Sequence, residues 1–91
     1  MKTIRVSPDV YKKLQVLRSK DKKLFKKVQK QLKLFKQNPR HKSLRLHKIT
    51  REITDVWSIS IDKSNRMLYR EFESEYYFFT IGTHDEVYRK T

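Results

Sequence analysis

The sequence has no cysteine, one glycine, two prolines and only ten acidic residues among its 91. Without cysteine there is no disulfide frame and no thiolate chemistry, which suits a reducing compartment. The three histidines, at positions 41, 47 and 84, are too scattered to read as a metal cluster, so neither a metal nor another cofactor is expected. No apolar run approaches the roughly 20 residues that span a bilayer, and the first residues lack the apolar core of a signal peptide. The expectation is a cytoplasmic protein. No internal repeat is visible. The length suits one domain, residues 1–91, that buries roughly 60–65% of the surface its unfolded chain would expose.

The shortage of acids leaves a net charge of +13, unevenly placed. Residues 1–48 hold seventeen Lys/Arg against Asp9 and Asp21, a net of +15, whereas residues 49–91 hold six against eight acids, a net of −2. A polycationic half favours a polyanion, and nucleic acid is the commonest one in a cell. The alternative is a basic surface kept for solubility. Self-repulsion at this charge opposes compactness, so a bound acidic partner would relieve it.

What is present reads as an α+β domain. Lys2 to Val6 alternates as a short strand. Ser7-Pro8-Asp9 then spells a helix start: a capping hydroxyl, a proline where the missing N–H costs nothing, and an acid near the positive end of the dipole. The first helix is predicted over Pro8 to Arg18, with Val10, Leu14 and Leu17 inward. Asp21 caps a second, Lys22 to Gln37, with Phe25, Val28, Leu32 and Phe35 at helical spacing and Leu24 beside them. Lysines fill its opposite face. Such a helix can also lie on a membrane, but its apolar stripe is needed for the core. Asn38-Pro39 ends it, because the residue before a proline is pushed out of helical geometry. Ser43 to Ile49 alternates as a strand, with Leu44, Leu46 and Lys48 opposite Arg45, His47 and Ile49. Residues 50–54 connect it to Asp55 to Ile61, where Trp57, Ile59 and Ile61 oppose Val56, Ser58 and Ser60. A turn at 62–65 leads to strands Arg66 to Phe72 and Tyr76 to Ile81, the latter ended by Gly82, with Tyr77, Phe79 and Ile81 on one face. The expected architecture is two helices packed on a small, mainly antiparallel sheet.

His84 is the sharpest chemical candidate. A histidine just past a strand end is exposed enough to exchange protons, and its unperturbed pKa of about 6.5 suits acid–base work. Thr83-His84-Asp85-Glu86 also spells a capping box for one helical turn, which uses Thr83 and Glu86 and leaves His84 free. Arg66 opens a strand after a turn, either as a two-pronged phosphate clamp or as an exposed strand-end charge. Arg45, His47 and Lys48 form a second basic cluster. Tyr88 either stacks a base or covers the core.

These pieces together carry a resemblance. A short strand, two lysine-rich helices ending in Asn-Pro, then Leu-Arg-Leu-His-Lys-Ile, Asp-Val-Trp-Ser-Ile-Ser-Ile, Arg-Met-Leu-Tyr and Ile-Gly-Thr-His-Asp-Glu-Val-Tyr are similar to the RelE/ParE toxin superfamily, and to its YafQ-like branch in particular. The resemblance covers nearly the whole chain and implies a RelE-like β-α-α-β-β-β order. It further implies a type II toxin held by an antitoxin, expected to be acidic and encoded adjacently, with the toxin monomeric inside that complex. Its activity would be endoribonuclease cleavage of mRNA in the ribosomal A site. In that chemistry the 2′-hydroxyl attacks the neighbouring phosphate, leaving a cyclic phosphate and a free 5′-hydroxyl without a metal. By position, His84 matches the family's C-terminal catalytic histidine, Arg66 the arginine opening the same strand, His47 a histidine on the second strand, and Tyr88 the aromatic near the C-terminus. On this basis His84 is the general acid, His47 the base, Arg66 the stabiliser of developing charge, and Arg45, Lys48 and Tyr88 hold RNA. Lys23, Lys26, Lys27 and Lys30 are the expected contacts to ribosomal RNA. The YafQ-like enzymes carry a further histidine and a later acid on the strand matching Asp55 to Ile61. Here Trp57 and an apolar or serine residue stand there; Asp55 is kept and joins His84, Arg66 and His47 in the catalytic set that the resemblance implies, which is thinner in acid–base groups. Two alternatives follow from the same fold: gyrase poisoning, as in the ParE branch, and RNA binding without cleavage.

Overall fold

The computed structural model describes residues 2–49 and 56–89. Asp55, assigned above to the catalytic set, lies outside the described residues, as does the connection at 50–54. Strand β1 (Thr3–Val6) is followed by helices α1 (Pro8–Lys20) and α2 (Lys22–Gln37), a 3₁₀ turn over Lys42–Leu44, strands β2 (His47–Ile49), β3 (Val56–Ser60), β4 (Asn65–Glu71) and β5 (Glu75–Thr83), and a short helix α3 (His84–Arg89). The strands form one sheet in the order β1-β5-β4-β3-β2. β1 runs parallel to β5, and the other pairings are antiparallel. This is the α+β class expected from the pattern. None of the described helices is long and apolar enough to cross a membrane.

The helix boundaries follow from local chemistry. Ser7 Oγ accepts from the Val10 N–H at 3.1 Å, Pro8 occupies the first helical position, and Asp21 accepts from the Leu24 N–H at 3.1 Å. Asp21 also donates its own N–H to the Leu17 carbonyl, so one residue closes α1 and opens α2. That shared cap carries α1 to Lys20, two residues beyond the predicted end. On α2 the inward stripe is Leu24, Val28, Gln31 and Phe35, flanked by Leu32 and Leu34. Leu24 thus takes the core place expected of Phe25. Phe35 is fully buried and meets Tyr69, Tyr76 and Phe78 edge-on, with ring centroids 4.8–5.3 Å apart. Burial there pushes the Tyr69 phenol well above its ordinary value, with Glu71 and Tyr76 adding to the effect.

Three expectations are corrected. The predicted strand Ser43–Ile49 begins only at His47. His41 Nδ1 accepts from the Ser43 N–H at 3.1 Å, starting the 3₁₀ turn that buries Leu44, and Arg45 leaves it in the left-handed region at φ 47°. Gly82 does not end β5, because it still pairs with Arg66, and Thr83 with Asn65. The simple alternation of β5 also fails. Leu68 pairs with Thr80 but Tyr69 with Phe78, so Phe79 is an extra residue, a β-bulge. The helix-facing residues are therefore Tyr76, Phe78 and Ile81, while Phe79 turns to the other face.

That other face carries a satellite core of Ile49, Val56, Leu68 and Val87, with Phe79 and Tyr88 against it. Alternation along β3 and β4 puts these residues opposite the helix-facing Trp57, Ile59, Met67 and Tyr69. Helices α1 and α2 cover one face of the sheet, and among the described elements only α3 sits on the other. The candidate site occupies what α3 leaves open.

The turn between β3 and β4 is built by Asp62. Its Oδ1 accepts from the N–H groups of Ser64 (2.9 Å) and Asn65 (2.8 Å) and from Asn65 Nδ2 (3.1 Å), while Oδ2 lies 3.7 Å from Lys27 Nζ. Burial alone would raise this carboxyl, but the three hydrogen bonds and the Lys27 charge hold it below the ordinary value. A depressed carboxylate stabilises the fold above its unfolded pKa of about 3.9 and loses that contribution as the pH falls through its folded value. Asp62→Ala is therefore expected to cost about 1–2 kcal/mol at pH 7. In urea melts the cost should begin to shrink as the pH falls below about 4, where the unfolded carboxyl takes up its proton, and should vanish only as the pH passes through the lower folded value. A cost unchanged at low pH would show that the ionised carboxylate contributes nothing.

Candidate active site

Helix α3 is placed by three local devices. Val87 is fully buried in the satellite core. The Thr83 N–H donates to Glu86 Oε1 at 2.9 Å and the Glu86 N–H donates to Thr83 Oγ1 at 3.3 Å, forming the capping box expected from the sequence. The His84 N–H donates to the Ser64 carbonyl at 3.1 Å, tying the first turn of α3 to the loop that Asp62 organises. Gly82 is the position where a side chain cannot be added freely: a Cβ there would lie 3.1 Å from Glu86 Oε1. The sole glycine thus makes room for the cap rather than ending the strand.

With its backbone fixed, the His84 side chain stands 68% exposed. Its ring meets the Tyr88 ring edge-on at 4.3 Å, one helical turn later, and its Nδ1 is 3.9 Å from Asp85 Oδ1. Tyr88 is half-buried against the satellite core, and its hydroxyl donates to Ser58 Oγ at 3.2 Å. In this structure it covers core and braces His84 at once.

Ser58 is the hub that sequence reasoning missed. It is fully buried on β3, opposite His47 on β2 and Leu68 on β4. Besides Tyr88, its Oγ accepts from Arg66 Nε at 2.5 Å, and its carbonyl accepts from Arg66 Nη2 at 3.3 Å. Nη2 also donates to the Arg45 carbonyl at 2.8 Å, which the left-handed turn at Arg45 aims toward β4. One edge of the guanidinium is thereby consumed in positioning, and the donors left over are those of Nη1. The Nε–Nη2 edge of Arg66 is thereby closed to a two-pronged phosphate clamp, and only the tip of the guanidinium faces outward with donors to spare. The only signal for Ser58 in the sequence was a hydroxyl on the polar side of an alternating strand.

These groups line one open cavity of about 800 Å³. Arg45, His47 and Lys48 stand on one side, Arg66 lies between, and His84 and Tyr88 stand on the other, with Leu46 and Ile49 completing the wall. All six residues singled out on and around β2, β4 and α3 are brought together. Lys48 is partly drawn off, since its ammonium sits 5.6 Å from the Trp57 ring centroid. The lysines of α2 are not in the cavity. Lys23, Lys26, Lys27 and Lys30 are exposed on the helix-covered side of the sheet, and Lys27 pairs with Asp62. His41, the third histidine, is a cap for the 3₁₀ turn. Among the described residues no three His, Asp or Glu side chains converge as metal ligands.

No protein-family model and no curated protein sequence matches the chain. Solved structures do. The YoeB dimer of Staphylococcus aureus superposes with a TM-score of 0.74 at 22% identity, covering 91% of this chain and 97% of that one. YafQ of Escherichia coli strain BL21(DE3) gives 0.77 at 14% identity, covering 97% and 99%. The RelE–RelB complex of Pyrococcus horikoshii gives 0.69 at 13% identity, covering 90% and 93%. At such identities the likeness is one of fold, end to end. The chain has the RelE-like toxin fold, shared with proteins of the YafQ and YoeB kind.

Proposed function

We propose that this chain is the toxin of a type II toxin–antitoxin pair and an endoribonuclease that cleaves mRNA by attack of a 2′-hydroxyl on the adjacent phosphate. The observation that carries this is the cavity on the α3 face, where two histidines and two arginines converge on one wall-to-wall space. Internal transesterification needs three things of a protein: a base for the 2′-proton, an acid for the departing 5′-oxygen, and positive charge at the phosphate. His47 takes the 2′-proton, the free Nη1 donors of Arg66 meet the phosphoryl oxygens as negative charge grows on them, and His84 delivers a proton to the 5′-oxygen. The P–O5′ bond breaks as the P–O2′ bond forms, leaving a 2′,3′-cyclic phosphate and a 5′-hydroxyl. The protons balance without a metal or an added water.

Arg45 and Lys48 hold the backbone beside the reacting phosphate. The α2 lysines, facing away from the cavity, form a separate cationic surface suited to ribosomal RNA while the α3 face works on mRNA. Solved relatives occur as YoeB–YefM, DinJ–YafQ and RelE–RelB complexes. For a chain of charge +13 the partner of the same kind is an acidic antitoxin.

The test is the chemistry of the ends. Purified protein incubated with mRNA on ribosomes in magnesium, and with ribosome-free mRNA with and without EDTA, is expected to yield 5′-hydroxyl and cyclic-phosphate termini, with the rate on free RNA unchanged by the chelator. Products bearing 5′-phosphates, or cleavage abolished by EDTA, would replace this mechanism by a metal-assisted one. Intact mRNA under both conditions would leave a toxin-fold protein that only binds.

A further inference from the structure

The hydrogen bond from Arg66 to the Arg45 carbonyl is a partition within a larger cleft. Beyond it lies a second hollow of about 470 Å³, bounded by Gln31, Ser43, Arg45, Asp62, Lys63 and Arg66, so the two arginines border both spaces. Its size is within the range of small-ligand sites, about 300–1,000 Å³.

Gln31 lines this hollow from α2 and is only 8% exposed. Its Nε2 donates to the Ser60 carbonyl at 2.8 Å and to the Ser43 carbonyl at 3.3 Å. Two carbonyl acceptors fix which end of the amide carries the hydrogens. Oε1 accepts from no described donor, yet no enclosed side-chain polar atom among the described residues lacks a partner. Oε1 is therefore open to the hollow as a preset acceptor. Asp62, the single acid, is spent on its own turn and on Lys27. Lys63 is exposed and neither ion-paired nor hydrogen-bonded to a described residue. The hollow thus offers cationic walls and one accessible acceptor held in a fixed orientation. That combination suits a phosphate joined to a planar group with an N–H edge.

We propose that this hollow holds the nucleotide next to the scissile phosphate, its own phosphate between Arg45 and Lys63 and its base edge donating to Gln31 Oε1. The proposal rests on the ribonuclease reading of the adjoining cavity. It makes Lys63 a substrate-binding residue and extends the RNA path past the reacting phosphate onto the β3–β4 turn.

The experiment measures binding rather than cleavage, using 2′-O-methyl RNA oligonucleotides, which cannot react, of two, three and four nucleotides. Fluorescence anisotropy over a range of salt concentrations reads affinity for wild type, Lys63→Ala and Lys63→Glu. Lys63 is exposed, and Asp62 rather than Lys63 holds the turn, so both variants fold. Wild type is expected to gain affinity when the chain grows past two nucleotides. Lys63→Ala should lower the slope of log affinity against log salt by about one for the longer chains. Lys63→Glu should weaken them roughly tenfold or more. Both should bind the dinucleotide like wild type. An abasic residue at the added position should also remove part of the gain. Equal weakening at every length would reduce Lys63 to a long-range charge and overturn the subsite, as would variants indistinguishable from wild type. Failure of wild type to bind any of the oligonucleotides would overturn the subsite, while the ribonuclease reading stands or falls by the ends of cleaved mRNA.

Discussion

Replacing His84 by alanine is expected to slow RNA cleavage about 10²–10⁴-fold, the range typical of losing a general acid, and to abolish growth arrest on induction. The structure separates this from a folding defect. The His84 side chain is 68% exposed and, among the described residues, holds only an edge contact with Tyr88 and a 3.9 Å approach to Asp85, while the bond to the Ser64 carbonyl uses its backbone N–H. The capping box belongs to Thr83 and Glu86, and Val87 supplies the anchor. Alanine keeps all of these and favours a helix, so stability should stay within about 0.5 kcal/mol of wild type. The measurements are single-turnover cleavage, thermal melting and retention of antitoxin binding. If toxicity and cleavage survive intact while the protein is folded, His84 is not the acid, and its place past the strand end is explained by the cap alone.

Arg66→Ala is expected to cost about 10²–10³-fold in the cleavage step, the usual effect of removing one donor to a developing anion. Arg66→Lys is the more informative change. Lysine keeps the charge but is a point donor on a flexible stem, without the planar group that lets Nε and Nη2 bind Ser58 and the Arg45 carbonyl while Nη1 stays free. Lysine should therefore recover part of the RNA affinity and little of the rate. Full recovery of the rate would mean that charge alone acts at this position and that the Ser58 contact only supports the fold. Both variants leave the Ser58 hydroxyl with Tyr88, so a small loss of stability, about 1 kcal/mol, accompanies them.

The parts of the fold legible in the sequence are those set by contacts three or four residues apart. Ser7 with Val10, Asp21 with Leu24 and Thr83 with Glu86 are each a side chain meeting a nearby backbone N–H. Alternation of Trp57, Ile59 and Ile61 against Val56, Ser58 and Ser60 likewise assigned the two faces of β3, because a strand buried on both sides permits no slip of one residue. The errors arose where a distant partner decided. The bulge at Phe79 is a mismatch with β4, Gly82 continues β5 because Arg66 pairs with it, and the strand expected from Ser43 yields to a 3₁₀ turn that buries Leu44.

The site divides in the same way. The sequence supplied the chemical inventory: histidines 47 and 84, arginines 45 and 66, Lys48 and Tyr88 beside a strand or its end, and a polycationic first half. These depend on residue type and local periodicity, which a chain carries whatever its surroundings. Only the tertiary structure decided which of the basic groups share a space. Pairing of β2, β3 and β4 brings Arg45, His47 and Arg66 to one cavity, whereas α2 packs its apolar stripe on the opposite sheet face and takes Lys23, Lys26, Lys27 and Lys30 with it. Ser58 and Gln31 became significant only there too. A hydroxyl and an amide are commonplace in a sequence, and each acquires a role from the buried partners that fix its orientation.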